Sequence, residues 1–319
     1  MNNLLIIGNG FDLAHDMKTS YNHFIENTDR RQSDIIRNHF FEILNAEKNL
    51  KNWCDIEQIY FEQLQTNNSD SHYENTEVGL LNKEFDVIKE YLSNYLKTQE
   101  KETKTIGSYK EMFELIDSRD TRILNFNYTN TLQTLYSNEI KESKVIHMHG
   151  ELSNPINPIV FGYAANDKES RELIKKGDNE YMRNIKKHLY KRTDNERRLT
   201  YYLKGTSGIN VIILGHSCGL SDKLILNQIL NNENVQSINI FYYEKYEHYF
   251  QTQVNIDRIM NDDDNFKKLT DFNSSHRMPQ HNDSKEQQEA FIKYITPIIE
   301  KRKYEKKVYD ANKSNAVKW

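Results

Sequence analysis

Four short stretches of the chain set residues able to do chemistry beside glycines that let a backbone approach a ligand. The first is Ile6-Ile7-Gly8-Asn9-Gly10-Phe11-Asp12-Leu13, an apolar run that breaks into a glycine turn and then into a helical pattern. Glycines at such a strand exit permit a tight turn against a pyrophosphate, and the free N–H groups at the next helix start attract its charge. Asp12 could cap that helix or contact a ribose. A bare turn explains the glycines almost as well, because Leu13 stands where the dinucleotide fingerprint has its third glycine. No second strand bearing an acidic residue follows about 20 residues on, so an ordinary dehydrogenase is not expected.

The second stretch is Ile123-Leu124-Asn125-Phe126-Asn127-Tyr128-Thr129-Asn130. Its amides can donate to and accept from a sugar or a water, although Asn130 reads more simply as the N-cap of a helix over 131–136. The third is Val145-Ile146-His147-Met148-His149-Gly150. Strand alternation puts His147 and His149 on one face. No Asp, Glu or Cys at a recognisable ligand spacing completes a metal site with them, so no metal is expected and one imidazole reads better as a general base near neutral pH. The fourth, Gly215-His216-Ser217-Cys218-Gly219, suits a phosphate or ribose contact and also matches the Gly-x-Ser-x-Gly nucleophile elbow letter for letter. A serine hydrolase using Ser217, with His248, His276 or His281 as a late histidine, is therefore a rival, but it leaves the Gly8, Asn127 and His149 clusters unexplained.

The elements that must position these stretches are short apolar runs rich in β-branched residues, at Asn3–Gly8, Arg122–Asn127, Lys144–His149, Asn210–Gly215 and Gln236–Tyr243, with Ile159–Gly162 a weaker sixth. Their continuous apolar character predicts strands covered on both faces, hence an α/β fold with a mostly parallel sheet. In such a sheet ligands bind at the carboxyl ends of the strands, where all four stretches lie. The residues between the first two strands read as helical, for example Leu81, Phe85, Ile88, Leu92 and Tyr95. We expect one domain over residues 1–300, helical insertions at about 20–118 and 164–205, and a basic C-terminal tail over 301–319. The stretch 166–198 carries 11 Lys/Arg against 7 Asp/Glu and reads as a solvated helical face.

Composition bounds the class. The chain has 319 residues, 37% of them apolar, and its 14 Phe, 20 Tyr and 2 Trp supply core material, so a globular protein is expected. A net charge of −4 gives no global basic field for nucleic acid or membrane. No carboxylate cluster at metal-binding spacing suggests a nuclease. Two cysteines, Cys54 and Cys218, exclude a disulfide framework and a four-thiolate zinc module. With an opening apolar run too short for a signal peptide and no stretch long enough to span a membrane, a cytoplasmic location is expected.

Taken together, Gly8-Asn9-Gly10-Phe11-Asp12-Leu13-Ala14-His15 with Lys18-Thr19-Ser20-Tyr21, then Asn127-Tyr128-Thr129, His149-Gly150 and Gly215-His216-Ser217, resemble the AbiH-type bacteriophage abortive-infection family. Trp53-Cys54-Asp55-Ile56-Glu57 is similar to that family's Trp-x-Asp-x-Glu stretch. The family in turn resembles the sirtuin-like Rossmann proteins. By that resemblance Gly8, Asn9, Gly10, Phe11, Asp12, Thr129, Gly215, His216 and Ser217 hold a dinucleotide, and Asn127 and His149 serve the nicotinamide ribose. Thr129 departs from the acid of the sirtuin Asn-x-Asp pattern, and two cysteines cannot supply the four that bind zinc in sirtuin deacetylases. The resemblance implies an anti-phage effector that hydrolyses NAD as substrate, without a prosthetic group, acting as a homo-oligomer or with a phage-sensing partner. The alternative from another class is a nucleotide-binding sensor or scaffold subunit of a defence complex.

Overall fold

The computed structural model describes residues 2–47, 53–66, 74–100, 104–116 and 121–316, with backbone alone for 53–55, 74–76, 167 and 301–316. The side chains of Trp53, Cys54 and Asp55 thus lie outside the described residues.

Five apolar runs become strands: β1 (Asn2–Ile7), β2 (Thr121–Asn125), β3 (Val145–His147), β4 (Ile209–Leu214) and β5 (Val235–Phe241). They form one all-parallel sheet in the order β3-β2-β1-β4-β5. The order reverses between β1 and β4, so the crevice where a doubly wound sheet takes its ligand lies between their carboxyl ends. The stretch Ile159–Gly162 is not a strand; beside it only Tyr163 makes an isolated bridge, to Ile185.

Alternate residues of each strand enter two different cores, which is why the runs are continuous and not alternating. Leu5 and Ile7 pack with Ile123, Ile212, Phe113 and Ile295 on one face, while Leu4 and Ile6 pack with Leu124, Ile213, Leu199 and Leu226 on the other. Burying such side chains contributes roughly 1.5–3 kcal/mol each. The residues between β1 and β2 are helical as expected, including the helices Trp53–Thr66 and Glu74–Gln99. They close on a third core of their own, with Phe40, Tyr60, Phe85, Ile88 and Leu92. Tyr128, Phe161, Tyr163 and Ile185 from later in the chain join that core, so the first insertion is fastened to the sheet beside β2 and β3.

One expectation needs correction. The charged stretch 166–198 is not merely a solvated face, because Tyr181, Ile185, Lys186, Leu189 and Tyr190 are buried within it. The last helix runs Lys285–Ala316 and carries helical backbone into the basic stretch.

Candidate active site

At the carboxyl end of β1 the chain turns through Gly8 into the short helix Asn9–Ala14. The glycines there are needed for backbone-on-backbone contact with the end of β4. A Cβ on Gly8 would lie 2.6 Å from the His216 Cα, and one on Gly10 would lie 2.7 Å from the Gly215 Cα. Gly215 itself has φ +67°, and a Cβ there would meet the Phe11 nitrogen at 2.7 Å. Side chains at these positions would force the β1 and β4 loops apart. The Gly10 N–H donates to the Gly215 carbonyl at 2.8 Å, and the Phe11 N–H to that of Gly8 at 2.9 Å. Those two donors are therefore committed within the protein, which removes them from the phosphate cradle expected of this turn. Phe11 also leaves the expected set: it is fully buried against Tyr109, Phe113 and Tyr136 and does not line the cleft.

Asp12 caps nothing. It projects from the first turn of the helix, is 1% exposed, and accepts a hydrogen bond from Thr129 Oγ1 on Oδ2 at 2.6 Å, while Oδ1 has no partner. Burial raises its carboxyl to about pKa 6 against the opposing pull of the Thr129 hydroxyl. A carboxylate thus stands beside Thr129, where the sequence pattern itself lacks an acid. Asn127 is fixed by its own N–H to Asn125 Oδ1 at 3.0 Å and by Nδ2 to the Gly8 carbonyl at 3.1 Å. Asn130 occupies the N-cap position of the helix Thr131–Tyr136, but its side chain makes no capping bond; its backbone N–H meets Glu100 instead.

The paired histidines diverge. β3 ends at His147 and the chain turns, so alternation does not carry on to His149. His147 meets Gln133, Glu142 and Glu151, whereas His149 enters the cleft between Phe126, Tyr128 and Tyr190. His149 Nε2 lies 2.8 Å from Asp222 Oδ1. The same oxygen accepts from Lys186 Nζ at 2.9 Å, and Lys186 also reaches Glu57 Oε2 at 2.8 Å. His216 Nε2 approaches Asp222 Oδ2 at 3.4 Å, and its Nδ1 accepts the Cys218 N–H at 3.0 Å. Glu57 in turn accepts the Gly162 N–H at 3.0 Å.

The network is wholly buried, which fixes its charges. Burial acts against Asp222 ionising, but Lys186 and His149 outweigh it and hold its carboxyl well below the usual range. Burial likewise opposes a charged Lys186, which Asp222 and Glu57 keep protonated. Glu57 is pushed upward by burial, partly offset by Lys186. For His149 burial wins over Asp222, so its pKa falls below the ordinary imidazole value and the ring is neutral at neutral pH. With Asp222 accepting at Nε2, the lone pair sits on Nδ1. This is the arrangement by which a carboxylate orients an imidazole base and stabilises the imidazolium it becomes.

A cleft of about 340 Å³ gathers Gly8, Asn9, Gly10, Asp12, Asn127, Thr129, His149, Gly215, His216 and Ser217, every expected site residue except Phe11. Ser217 is exposed at its rim, and no hydrogen bond joins Ser217 Oγ to an imidazole among the described residues. Of the late histidines, His248 lines the cleft but its Nδ1 accepts the Lys245 N–H, His276 is buried against Phe241, and His281 lies near Asp16. The positive φ of 53° falls on Cys218, not on Ser217, so the elbow geometry is absent as well.

Sequence reasoning missed Asp222, Lys186 and Glu57 as site residues. Asp222 had a signal: it is the sole acidic residue between Glu196 and Glu233, just past a glycine-rich strand exit. Lys186 had none, since a buried lysine in a run of charges looks like its solvated neighbours. Among the described residues no helix is long and apolar enough to cross a membrane. Comparison with curated proteins and with solved structures returns no match. Residues 4–244 match the family model described as bacteriophage abortive infection AbiH, and the chain belongs to that family of phage abortive-infection proteins.

Proposed function

We propose that this AbiH-family chain is an abortive-infection effector that hydrolyses NAD to nicotinamide and ADP-ribose in a sirtuin-like site. The reading rests on one juxtaposition: the neutral, Asp222-held imidazole of His149 shares a cleft with the unpartnered, buried carboxylate oxygen of Asp12. An oriented base and an acceptor waiting for a donor are what a ribose and an attacking water require.

In this mechanism Asp12 and Asn127 bind the ribose hydroxyls, with Thr129 setting the Asp12 carboxylate. The bond from ribose C1′ to the pyridinium nitrogen breaks, and its electron pair returns to nicotinamide, which leaves neutral. Positive charge gathers on the ribose as an oxocarbenium-like cation. Water attacks C1′ while one of its protons passes to His149 Nδ1, and Asp222 stabilises the imidazolium formed. General base catalysis of this kind contributes typically ~10²–10⁴-fold.

The test is to incubate the purified protein with NAD, with and without lysate from phage-infected cells, and to follow nicotinamide and ADP-ribose by chromatography. Asn127→Ala and His149→Ala should each abolish nicotinamide release with the fold intact. Full activity in both variants overturns the assignment, and calorimetric binding without turnover, unchanged in both, identifies a sensor or scaffold instead. Because an enzyme that consumes a central cofactor must be held off in healthy cells, we expect control by self-assembly or by a phage-sensing partner acting on the helical insertions. Constitutive activity as a dilute monomer refutes that control.

A further inference from the structure

Outside the cleft, on the edge of the sheet beyond β3, one cluster has no place in the reaction. His147 Nε2 lies 3.5 Å from Glu142 Oε1 and 3.8 Å from Glu151 Oε2, and one donor atom from each of the three lies within 4.8 Å of the others. We propose that Glu142, His147 and Glu151, with the side-chain amide of Gln133, bind a first-row divalent cation such as Zn²⁺ or Mn²⁺.

Three observations carry the assignment. The separations of His147 Nε2 from the two carboxylates match those of ligands sharing one ion, since metal–donor bonds of about 2.0–2.2 Å place neighbouring donors roughly 3–4 Å apart. The second is that two carboxylates converge on a buried imidazole. His147 is 3% exposed, and the carboxylates of Glu142 and Glu151 approach the same ring nitrogen. The nearby guanidinium of Arg198 is turned to the Val145 carbonyl and to Asn195 Oδ1 and does not neutralise them. Third, the Gln133 amide nitrogen sits against His147 Nε2, while its oxygen is buried without a partner. Turning that amide end for end presents the unpartnered oxygen to the same point and completes an imidazole and oxygen donor set.

The surroundings hold the donors in place. Asn154 and Asn157 both donate to Glu151 Oε1, at 2.8 and 3.0 Å, which leaves Oε2 directed at His147. Asn195 anchors the backbone there by donating to the His147 carbonyl at 2.8 Å. Outer partners of this kind orient metal-ligating carboxylates. One imidazole with oxygen donors suits zinc or manganese and disfavours Cu(I), which seeks thiolates and thioethers. A second cleft, lined by Gln133, Glu142, Lys141 and Asn138, opens beside the cluster and gives an ion a path in. Bound there, the cation ties the segment before β3 and the helix after β2 to the turn that carries His149.

Full-length protein stripped with chelator and dialysed against ZnCl₂ or MnCl₂ should take up one ion per chain for at least one of the two metals. Glu142→Gln, at an exposed side chain that the fold does not need, and Glu151→Gln should each weaken uptake at least tenfold. His149→Ala, in the other cleft, should leave uptake unchanged. Added metal should raise the melting temperature of the wild type and not that of Glu142→Gln. No stoichiometric uptake of either metal by the wild type, or uptake unaffected by both glutamine variants, overturns the site. Loss of uptake in His149→Ala with retention in the glutamine variants would overturn it in favour of the nucleotide cleft.

Discussion

Replacing Asp12 by Asn should make the protein more stable and less functional, and both effects should depend on pH. In the fold, burial moves the Asp12 carboxyl from 3.8 to about 6, so folding favours its protonated form. Wild-type stability is therefore lost as pH rises through the interval from 3.8 to about 6, where the folded state holds a proton that the unfolded state has released. At ~1.4 kcal/mol per tenfold in affinity for the proton, the ionised carboxylate costs the fold up to about 3 kcal/mol at pH 8. Asparagine keeps an oxygen for the Thr129 hydroxyl and carries no charge, but its NH₂ also needs a partner. A net gain of about 1–2 kcal/mol at pH 8 follows, or roughly 2–4 °C in melting temperature. At pH 4 the wild-type carboxyl is itself protonated and most of the gain disappears. Denaturant melts of both proteins across this range measure the gap directly. A gap that does not change between pH 4 and pH 8, or a variant less stable than wild type at pH 8, refutes the buried ionised carboxylate. Activity supplies the other half: if the ionised Asp12 accepts from the ribose, the stabilised variant should bind NAD more weakly at pH 8, the usual trade of stability against function.

Lys186→Met leaves the Asp222 and Glu57 carboxylates buried without their common cation, and should destabilise the protein by about 3–5 kcal/mol in chemical denaturation. Adding Glu57→Gln should recover part of that loss; a wild-type denaturation midpoint for Lys186→Met contradicts the network. Nicotinamide release should fall only on the acid side of the ordinary imidazole value, because the base is neutral His149 and burial lowers its pKa; an acid limb centred above 6.5 in a pH–rate profile excludes that assignment. Ser217→Ala should show no loss approaching the ~10²–10⁴-fold of a catalytic group, and a fluorophosphonate probe should not label Ser217; labelling there establishes the hydrolase chemistry instead.

The sheet was legible because the strands are short and mostly apolar, and all but β5 are closed by Gly, Asn or His, a pattern that depends only on neighbours in sequence. The gathering of Gly8, Asn127, His149 and Gly215 followed from it, since parallel strands deliver their exits to one edge. What could not be read was set by long-range packing. Phe11 looked like part of the turn but completes an aromatic core with residues about a hundred positions away. His147 and His149 were separated because the strand ends at His147, before alternation can reach His149. Glu57 and Lys186 are 129 residues apart and come from different insertions, so nothing local marks either as a partner of the other.

That distant pairing bears on what the cleft can stabilise. Lys186 and Asp222 compensate one another, the His149 ring is uncharged when poised as a base, and Glu57 adds negative charge to whatever extent it ionises. Lys186, Asp222, His149 and Glu57 together therefore carry a net charge between zero and minus one, and an ionised Asp12 adds another negative charge to the same cleft. A carboxylate in a site of low polarity is costly until a cation appears beside it. In the proposed reaction cationic charge grows on the ribose and then on the His149 imidazole, so the excess negative charge becomes more favourable as the barrier is climbed. Both helical insertions contribute to that balance, Glu57 from the first and Lys186 from the second. A partner or assembly that shifts either insertion would therefore change the electrostatics of the cleft without touching the sheet that forms its floor.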